Sequence, residues 1–312
     1  MIVPAPRQAG VTVLLATYNG MKWLPEQLAS ILQQEGVDLS LVVLDDESTD
    51  GTRQWLVDQA ADDPRISVLP SIGSSGGSAA NFFRMIGLVS PAPDGYLAFA
   101  DQDDVWVQGK LARHVGILRS GGHDGISSNI TAFTTEGRRT LIRKDFPQRR
   151  FDYLTESPGP GSTFMITPRL AALVAEQLAD PASPAAKADF HDSLIYVIAR
   201  AAGFSWHIDG MSTVDYRQHE SNVMGSNVGV GSALSRFGLI RSHWHRNQAI
   251  LHATAGLRVA SAGVRPELER VLDLFIGGGF ARRLALTRMA SQLRRRRRDQ
   301  RIIALLIAIG IW

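Results

Sequence analysis

The stretch that most constrains this chain is Gly95-Tyr96-Leu97-Ala98-Phe99-Ala100-Asp101-Gln102-Asp103-Asp104-Val105-Trp106, an apolar run that ends abruptly in three carboxylates. Tyr96 to Ala100 read as a short buried strand after a Pro/Asp/Gly turn, which sets Asp101, Asp103 and Asp104 at its carboxyl end. Open α/β sheets bind their ligands at that end of the strands. Three acids within four residues repel one another and resist burial. An oxygen-preferring dication, Mg²⁺ or Mn²⁺, would hold them together and leave positions for substrate phosphates. Taken alone, the cluster reads more simply as a solvated acidic turn before the helix that begins near Trp106, where negative charge is favourable.

The chain before it repeats the arrangement. Val11 to Ala16 form an apolar run that stops at Thr17-Tyr18-Asn19-Gly20, Leu39 to Leu44 form a second that stops at Asp45-Asp46-Glu47-Ser48, and Ile66 to Leu69 form a third. Between them, Trp23, Leu24, Leu28, Ile31 and Leu32 recur at helical spacing, Trp55 and Leu56 follow a cap at Asp50 or Thr52, and Asn81, Phe82, Phe83, Met85 and Ile86 share a further helix. Strands alternating with helices argue for an α/β fold, a doubly wound and mostly parallel sheet with right-handed crossovers. In such a sheet the strand ends face one way, so Tyr18, Asn19, Asp45, Asp46, Asp101, Asp103 and Asp104 converge on one rim. Solvation alone does not explain that convergence.

The Gly/Ser loop at residues 71–78 brings backbone N–H groups to a helix start and suits an anion. It lacks the Lys of a phosphate loop and the G-x-G-x-x-G of a dinucleotide fold, which argues against an oxidoreductase. A phosphatase with an Asp nucleophile would want a Thr after its D-x-D, where this chain has Asp104-Val105. The absence of cysteine excludes disulfides, thiolate metal sites and a Cys nucleophile. Residues 1–10 hold no sustained apolar core of a secretory signal, so the expected compartment is the cytoplasm.

Beyond Gly121 the pattern shifts. Gly125 to Phe133 and Thr140 to Arg143 read as antiparallel strands, Ser162 to Ile166 and a helix from Pro168 resume α/β character, and Phe190-His191-Asp192-Ser193 opens another helix, placing Asp192 where the dipole favours its charged form. Thr213 to Tyr216 read as a strand, followed by Arg217-Gln218-His219.

Ala16-Thr17-Tyr18-Asn19-Gly20, Asp45-Asp46-Glu47-Ser48-Thr49-Asp50-Gly51-Thr52, Asn81-Phe82, Asp101-Gln102-Asp103-Asp104-Val105-Trp106 with Lys110-Leu111, His191-Asp192 and Tyr216-Arg217-Gln218-His219 together resemble a family 2 glycosyltransferase of GT-A fold, and more narrowly its bacterial rhamnosyltransferase branch. One departure is visible: Ser75 stands where such proteins usually have Asn two residues before the loop glycine, Gly77. The resemblance implies a nucleotide-diphosphate sugar donor, a Mg²⁺ or Mn²⁺ on Asp103 with Asp101 towards the ribose, and Asp192 as the base that deprotonates the acceptor hydroxyl, with inversion. It also implies that Thr17, Tyr18, Asn19, Asp46, Asn81 and Gln102 surround the nucleotide and that Asp45 reads its base edge. Lys110, His191, Arg217 and His219 follow as contacts to the diphosphate or acceptor. Without the resemblance, Asp192 is a plain helix-start acid and the two histidines are structural. The favoured donor is dTDP-rhamnose, with a UDP-hexose as the alternative. A non-catalytic sugar-nucleotide-binding protein is the competing class, against which the intact Asp101, Asp103 and Asp192 argue.

The expected division is a catalytic domain over residues 1–230 and a helical extension over 231–312. The net charge of +3 hides an asymmetry: residues 281–312 carry +8 and the rest −5. The run Arg294-Arg295-Arg296-Arg297-Arg298-Asp299-Gln300-Arg301 precedes eleven mostly apolar residues ending in Trp312, about half of the ~20 a bilayer span needs. An Arg cluster beside an apolar helix suits an anionic leaflet, so residues 282–312 are expected to attach the protein peripherally to the inner face of the plasma membrane, where lipid-linked or polysaccharide acceptors reside. A dimer interface is the alternative use of this tail. Nucleic acid is not an expected partner, since no aromatics interleave the arginines.

Overall fold

The computed structural model describes residues 8–89, 91–180, 182–219 and 243–312. The first half alternates β1 (Ala9–Thr17), α1 (Leu24–Leu32), β2 (Val37–Asp45), α2 (Thr52–Asp62), β3 (Ile66–Val68), α3 (Ser78–Leu88) and β4 (Tyr96–Asp101). These strands pair parallel in the order β3-β2-β1-β4, as the alternation requires. β5 (Val105–Trp106), α4 (Lys110–Gly121), β6 (Gly125–Phe133), β7 (Arg139–Ile142), β8 (Met165–Ile166), α5 (Pro168–Ala179), α6 (His191–Ala202) and β9 (Trp206–Arg217) follow. They extend the sheet as β4-β8-β6-β9-β5, with β7 on β6. β8 runs antiparallel to both β4 and β6, whereas β6 and β9 are parallel.

Side chains alternate across the parallel strands and fill two cores. Leu14, Leu97 and Phe99 face α3, α5 and α6, while Val13, Leu15, Ala98 and Ala100 face α1, Leu56 of α2 and α4. β9 is longer than the expected Thr213 to Tyr216. Its first half contains Asp209 and Gly210, which hide the apolar alternation, but Asp209 is buried because Arg113 reaches it at 2.5 and 2.8 Å. The β6–β9 ladder absorbs this irregular stretch in register shifts around Asn129.

Four helices complete the described chain: α7 (Trp244–Val259), α8 (Arg265–Ile276), α9 (Phe280–Leu293) and α10 (Arg297–Ala308). Ala249, Ala253, Leu268, Phe275, Leu286, Ile303 and Trp312 join the core that α3 and α6 form. The expected boundary at 230/231 lies outside the described residues.

Candidate functional site

The rim is set by register. Thr17 pairs with Asp45 and Ala16 with Asp101, so the ends of β1, β2 and β4 stand side by side. The Thr17 hydroxyl donates to Asp45 at 2.9 Å, and the Ser48 backbone N–H and hydroxyl donate to the same carboxylate at 2.9 and 2.6 Å. Asp46 accepts the backbone N–H and, at 2.8 Å, the hydroxyl of Ser75, and so anchors the Gly/Ser loop through the residue that departs from the family pattern. Asn81 donates to the Leu44 carbonyl at 2.9 Å, while its buried Oδ1 has no partner among the described residues.

Above them, Gln102 clasps Tyr18 through both main-chain groups, accepting from its N–H at 2.8 Å and donating to its carbonyl at 2.9 Å. The Tyr18 ring is left exposed. Gly20 is required here by close approach: a Cβ would lie 2.3 Å from the Gln102 amide oxygen. Asn19 adopts a left-handed backbone, φ 47°, and its side-chain oxygen accepts the Thr49 N–H at 2.8 Å, tying the first rim loop to the second.

The acidic turn that ends β4 gathers charges from across the chain. Burial pushes the Asp101 carboxyl up to about 7, reinforced by the charges of Asp103 and Asp192 and opposed by Lys110. Asp103 is bonded to the His219 ring at 2.8 Å. Asp104 is fully buried, and burial and its two acidic neighbours hold it well above the carboxylate range. Its Oδ1 accepts the Arg217 N–H at 3.3 Å. The Arg217 guanidinium donates to the Asp103 carbonyl at 2.9 Å and to Glu26 at 2.5 Å, and lies 4.3 Å from the Trp23 ring. Lys110 is buried beneath this turn, its ammonium donating to the Ser162 carbonyl at 2.5 Å and lying 3.2 Å from the Trp106 ring centre. Burial pulls its pKa well down, against the pull of Asp104 and Asp101.

His191 and Asp192 open α6. The His191 ring packs 4.0 Å from Phe82 and 5.8 Å from Phe99, and burial drives its pKa down to about 3, so the imidazole is neutral. It lies in the core rather than at the rim surface. Burial raises the Asp192 carboxyl, offset by the Ser193 N–H, the Ser157 hydroxyl and the Lys144 ammonium. Its charge is felt at Asp101, which brings the start of α6 to the same place as the end of β4.

For a divalent cation the donor set fits. Asp101 and Asp103 offer hard oxygen, and Asp101 is a carboxyl whose ionised form a dication would stabilise. Among the described residues no three His, Cys, Asp or Glu side chains form a closed metal cage. A cation taking one or two carboxylates and completing its shell with phosphate and water needs none.

Residues 12–176 match the family described as Glycosyl transferase family 2. The dTDP-rhamnosyl transferase RfbG of Shigella flexneri is 33% identical over 299 residues, 96% of this chain and all of that protein. The chain is a family 2 glycosyltransferase. More narrowly, this glycosyltransferase is of the bacterial rhamnosyltransferase-like kind. It is also similar to an Escherichia coli UDP-Glc:α-D-GlcNAc-diphosphoundecaprenol β-1,3-glucosyltransferase, WfgD, 27% identical over 35% of this chain and 40% of that one. Among solved structures, the mannosyltransferase PcManGT from Pyrobaculum calidifontis, in complex with GDP-Man and Mn²⁺, shares the GT-A fold, with TM-score 0.54, 18% identity, and coverage of 99% of this chain and 88% of that one.

Sequence reading passed over several groups that the structure brings to this region. Glu26 and Trp23 hold Arg217, and Trp23 stacks with His219 at 6.0 Å. The polar start of α1 was their only signal. Lys144 and Ser157, both facing Asp192, come from irregular segments with no motif.

Proposed function

We propose that this glycosyltransferase moves L-rhamnose from dTDP-rhamnose to a hydroxyl of a lipid-linked glycan in cell-surface polysaccharide synthesis, with inversion at the anomeric carbon. The near full-length similarity to the Shigella dTDP-rhamnosyl transferase carries the donor assignment. The name of the E. coli relative, which acts on a diphosphoundecaprenol-linked sugar, supports the acceptor class.

In this reading Asp192 takes the acceptor's hydroxyl proton as the oxygen bonds to the anomeric carbon, and the dTDP oxygen leaves from the opposite face with the bonding electron pair. A raised pKa suits that role, since it makes the carboxylate a stronger base. Asp103 and Asp101 would hold a Mg²⁺ or Mn²⁺, which supplies charge neutralisation to the leaving diphosphate. Thr17, Tyr18, Asn19, Asp45, Asp46, Asn81 and Gln102 build the nucleotide side. Arg217 and His219 orient Asp103 through its carbonyl and its carboxylate, and Lys110 supports Asp104 and Asp101 from the interior.

We place the enzyme on the inner face of the plasma membrane through its tail. No described helix is long and apolar enough to cross a membrane. The outer face of α10 instead exposes Ile302, Leu305 and Ile309 beside Arg297, Arg298 and Arg301, a composition that suits an anionic leaflet.

Calorimetry with dTDP and with UDP, with and without Mn²⁺, on wild type and Asp103→Ala tests the site. Mn²⁺-dependent binding of dTDP over UDP that the substitution removes is the expected result. Preference for UDP would overturn the donor, and binding of neither would overturn the catalytic reading.

A further inference from the structure

A cleft of about 490 Å³ is lined by Leu141, Ile142, Arg143, Phe146 and Arg296. Its two arginines come from distant parts of the chain and meet over one ring: the guanidinium carbons of Arg143 and Arg296 lie 5.2 and 5.1 Å from the centre of Phe146. Asp145 pairs with Arg143 at 3.0 and 3.2 Å, and Arg296 leaves the cleft with a net positive charge. Leu141 is more than half exposed beside these cations. Such a pairing of apolar wall and guanidinium suits a ligand that is anionic at one end and apolar at the other.

The cleft joins the catalytic side through Lys144. Its backbone N–H donates to Asn129 Oδ1 at 2.5 Å, and its ammonium feels the charges of Arg295, Asp192, Glu156 and Arg296. Arg295 fixes the tail against this place. Its buried guanidinium donates to the Ser157 carbonyl at 2.6 Å and lies 3.4 Å from the Asp152 carboxylate, while its backbone N–H donates to Glu156 at 2.5 Å. Arg296 therefore leaves a rigid anchor and turns outward into the cleft, and α10, with its exposed Ile302, Leu305 and Ile309, begins at the next residue.

We propose that this cleft is the acceptor's phosphate site: Arg143 and Arg296 bind the diphosphate of a lipid-linked acceptor, its apolar chain leaves along Leu141 towards the exposed face of α10, and its sugar points to Asp192. The proposal rests on the glycosyl-transfer reading of the site and adds the residues that recognise the acceptor. It uses cations outside the donor rim, so the two can fail separately.

The test uses the full chain, with Mn²⁺ and saturating dTDP to fill the donor site, and titrates farnesyl diphosphate, farnesol and inorganic pyrophosphate. Farnesyl diphosphate is expected to bind at least ten-fold more tightly than either part alone. The Arg143→Gln/Arg296→Gln variant is expected to lose about ten-fold or more of that affinity while binding dTDP as wild type does, since both side chains are exposed and their contacts are with Asp145 and Phe146 rather than with rim residues. Undiminished farnesyl diphosphate binding by the variant overturns the proposal, as does pyrophosphate binding as tightly as the lipid diphosphate. A variant defect confined to flotation on vesicles containing phosphatidylglycerol, with farnesyl diphosphate binding unchanged, would make the cleft a membrane contact and likewise overturn it. Failure of wild type to bind dTDP would instead count against the donor reading.

Discussion

Asp192 and Lys110 both act on the carboxylate turn, and their substitutions separate chemistry from stability. Asp192→Asn keeps the shape and removes the base, so turnover should fall about a hundred- to ten-thousand-fold while dTDP affinity by calorimetry stays within a few-fold of wild type. Loss of both would mean that the substitution disturbs the donor site. Because Asp192 works only when ionised, the rate should climb with pH through a pKa above the ordinary carboxylate range and flatten beyond it. Ser157→Ala removes a hydrogen bond to the ionised form and should move that acid limb to higher pH in kcat/KM profiles. Lys110→Met removes a buried hydrogen bond to the Ser162 carbonyl and the packing of the ammonium on the Trp106 ring, at a cost of about 1–3 kcal/mol by denaturant unfolding. Sequence order gave no hint of this interior role. A lysine one turn after the acidic cluster looks like a phosphate ligand until the fold shows its ammonium on the Ser162 carbonyl.

At the scale of elements, the parallel half of the sheet was legible because its strands are buried on both faces and read as unbroken apolar runs ending in polar turns. β1, β2 and β4 lie where the runs Val11 to Ala16, Leu39 to Leu44 and Tyr96 to Ala100 predict, each one to three residues longer. The mixed half was less legible. β8 is two residues long, and β9 carries a buried acid whose partner, Arg113, is 96 positions away. Gly125 tests how tightly these strands pack, since a Cβ there would lie 2.3 Å from the Trp206 ring. Trp206 is wedged against Phe164 and Tyr196 at 4.8 and 5.3 Å and has little room to yield. Gly125→Ala should therefore cost about 1–3 kcal/mol in denaturant unfolding, and a neutral result would mean that the β6–β9 pair moves as a unit.

For the whole molecule, two consequences follow from what the core encloses. His114 is fully buried in α4 with neither ring nitrogen bonded among the described residues, and burial drives its pKa down to about 3, as it does for His191. The folded state then binds fewer protons than the unfolded one between about pH 6.5 and pH 3. The stability these neutral rings permit is present above pH 6.5 and is lost as the pH falls through that window, by up to about 1.4 kcal/mol per pH unit for each ring. His114→Leu should flatten the acid limb of the thermal-stability profile, and an unchanged limb would refute the assignment. The tail is the second case. Ile303, Ile307 and Trp312 are buried, with Trp312 packed 5.3 Å from Phe275, and Phe151 donates its N–H to Gln292 at 3.0 Å. A chain ending at Arg282 should lower Tm as well as weaken vesicle binding. Leu305→Gln/Ile309→Gln, on the exposed face, should reduce flotation alone.

Local spacing along the chain was enough for the alternation of strand and helix, for the polar turns at the strand ends, and hence for the rim on which Thr17, Asp45 and Asp101 are neighbours. Which charges are buried, and with whom, emerged from long-range packing alone. The arginine run at residues 294–298 looks uniform along the chain, yet Arg295 is inserted between Asp152 and Glu156 while Arg296 turns into a cleft shared with Arg143. Periodicity records the face an element presents. The partner of a buried charge is set by long-range packing, because its desolvation must be offset by a group that the fold brings from elsewhere in the chain.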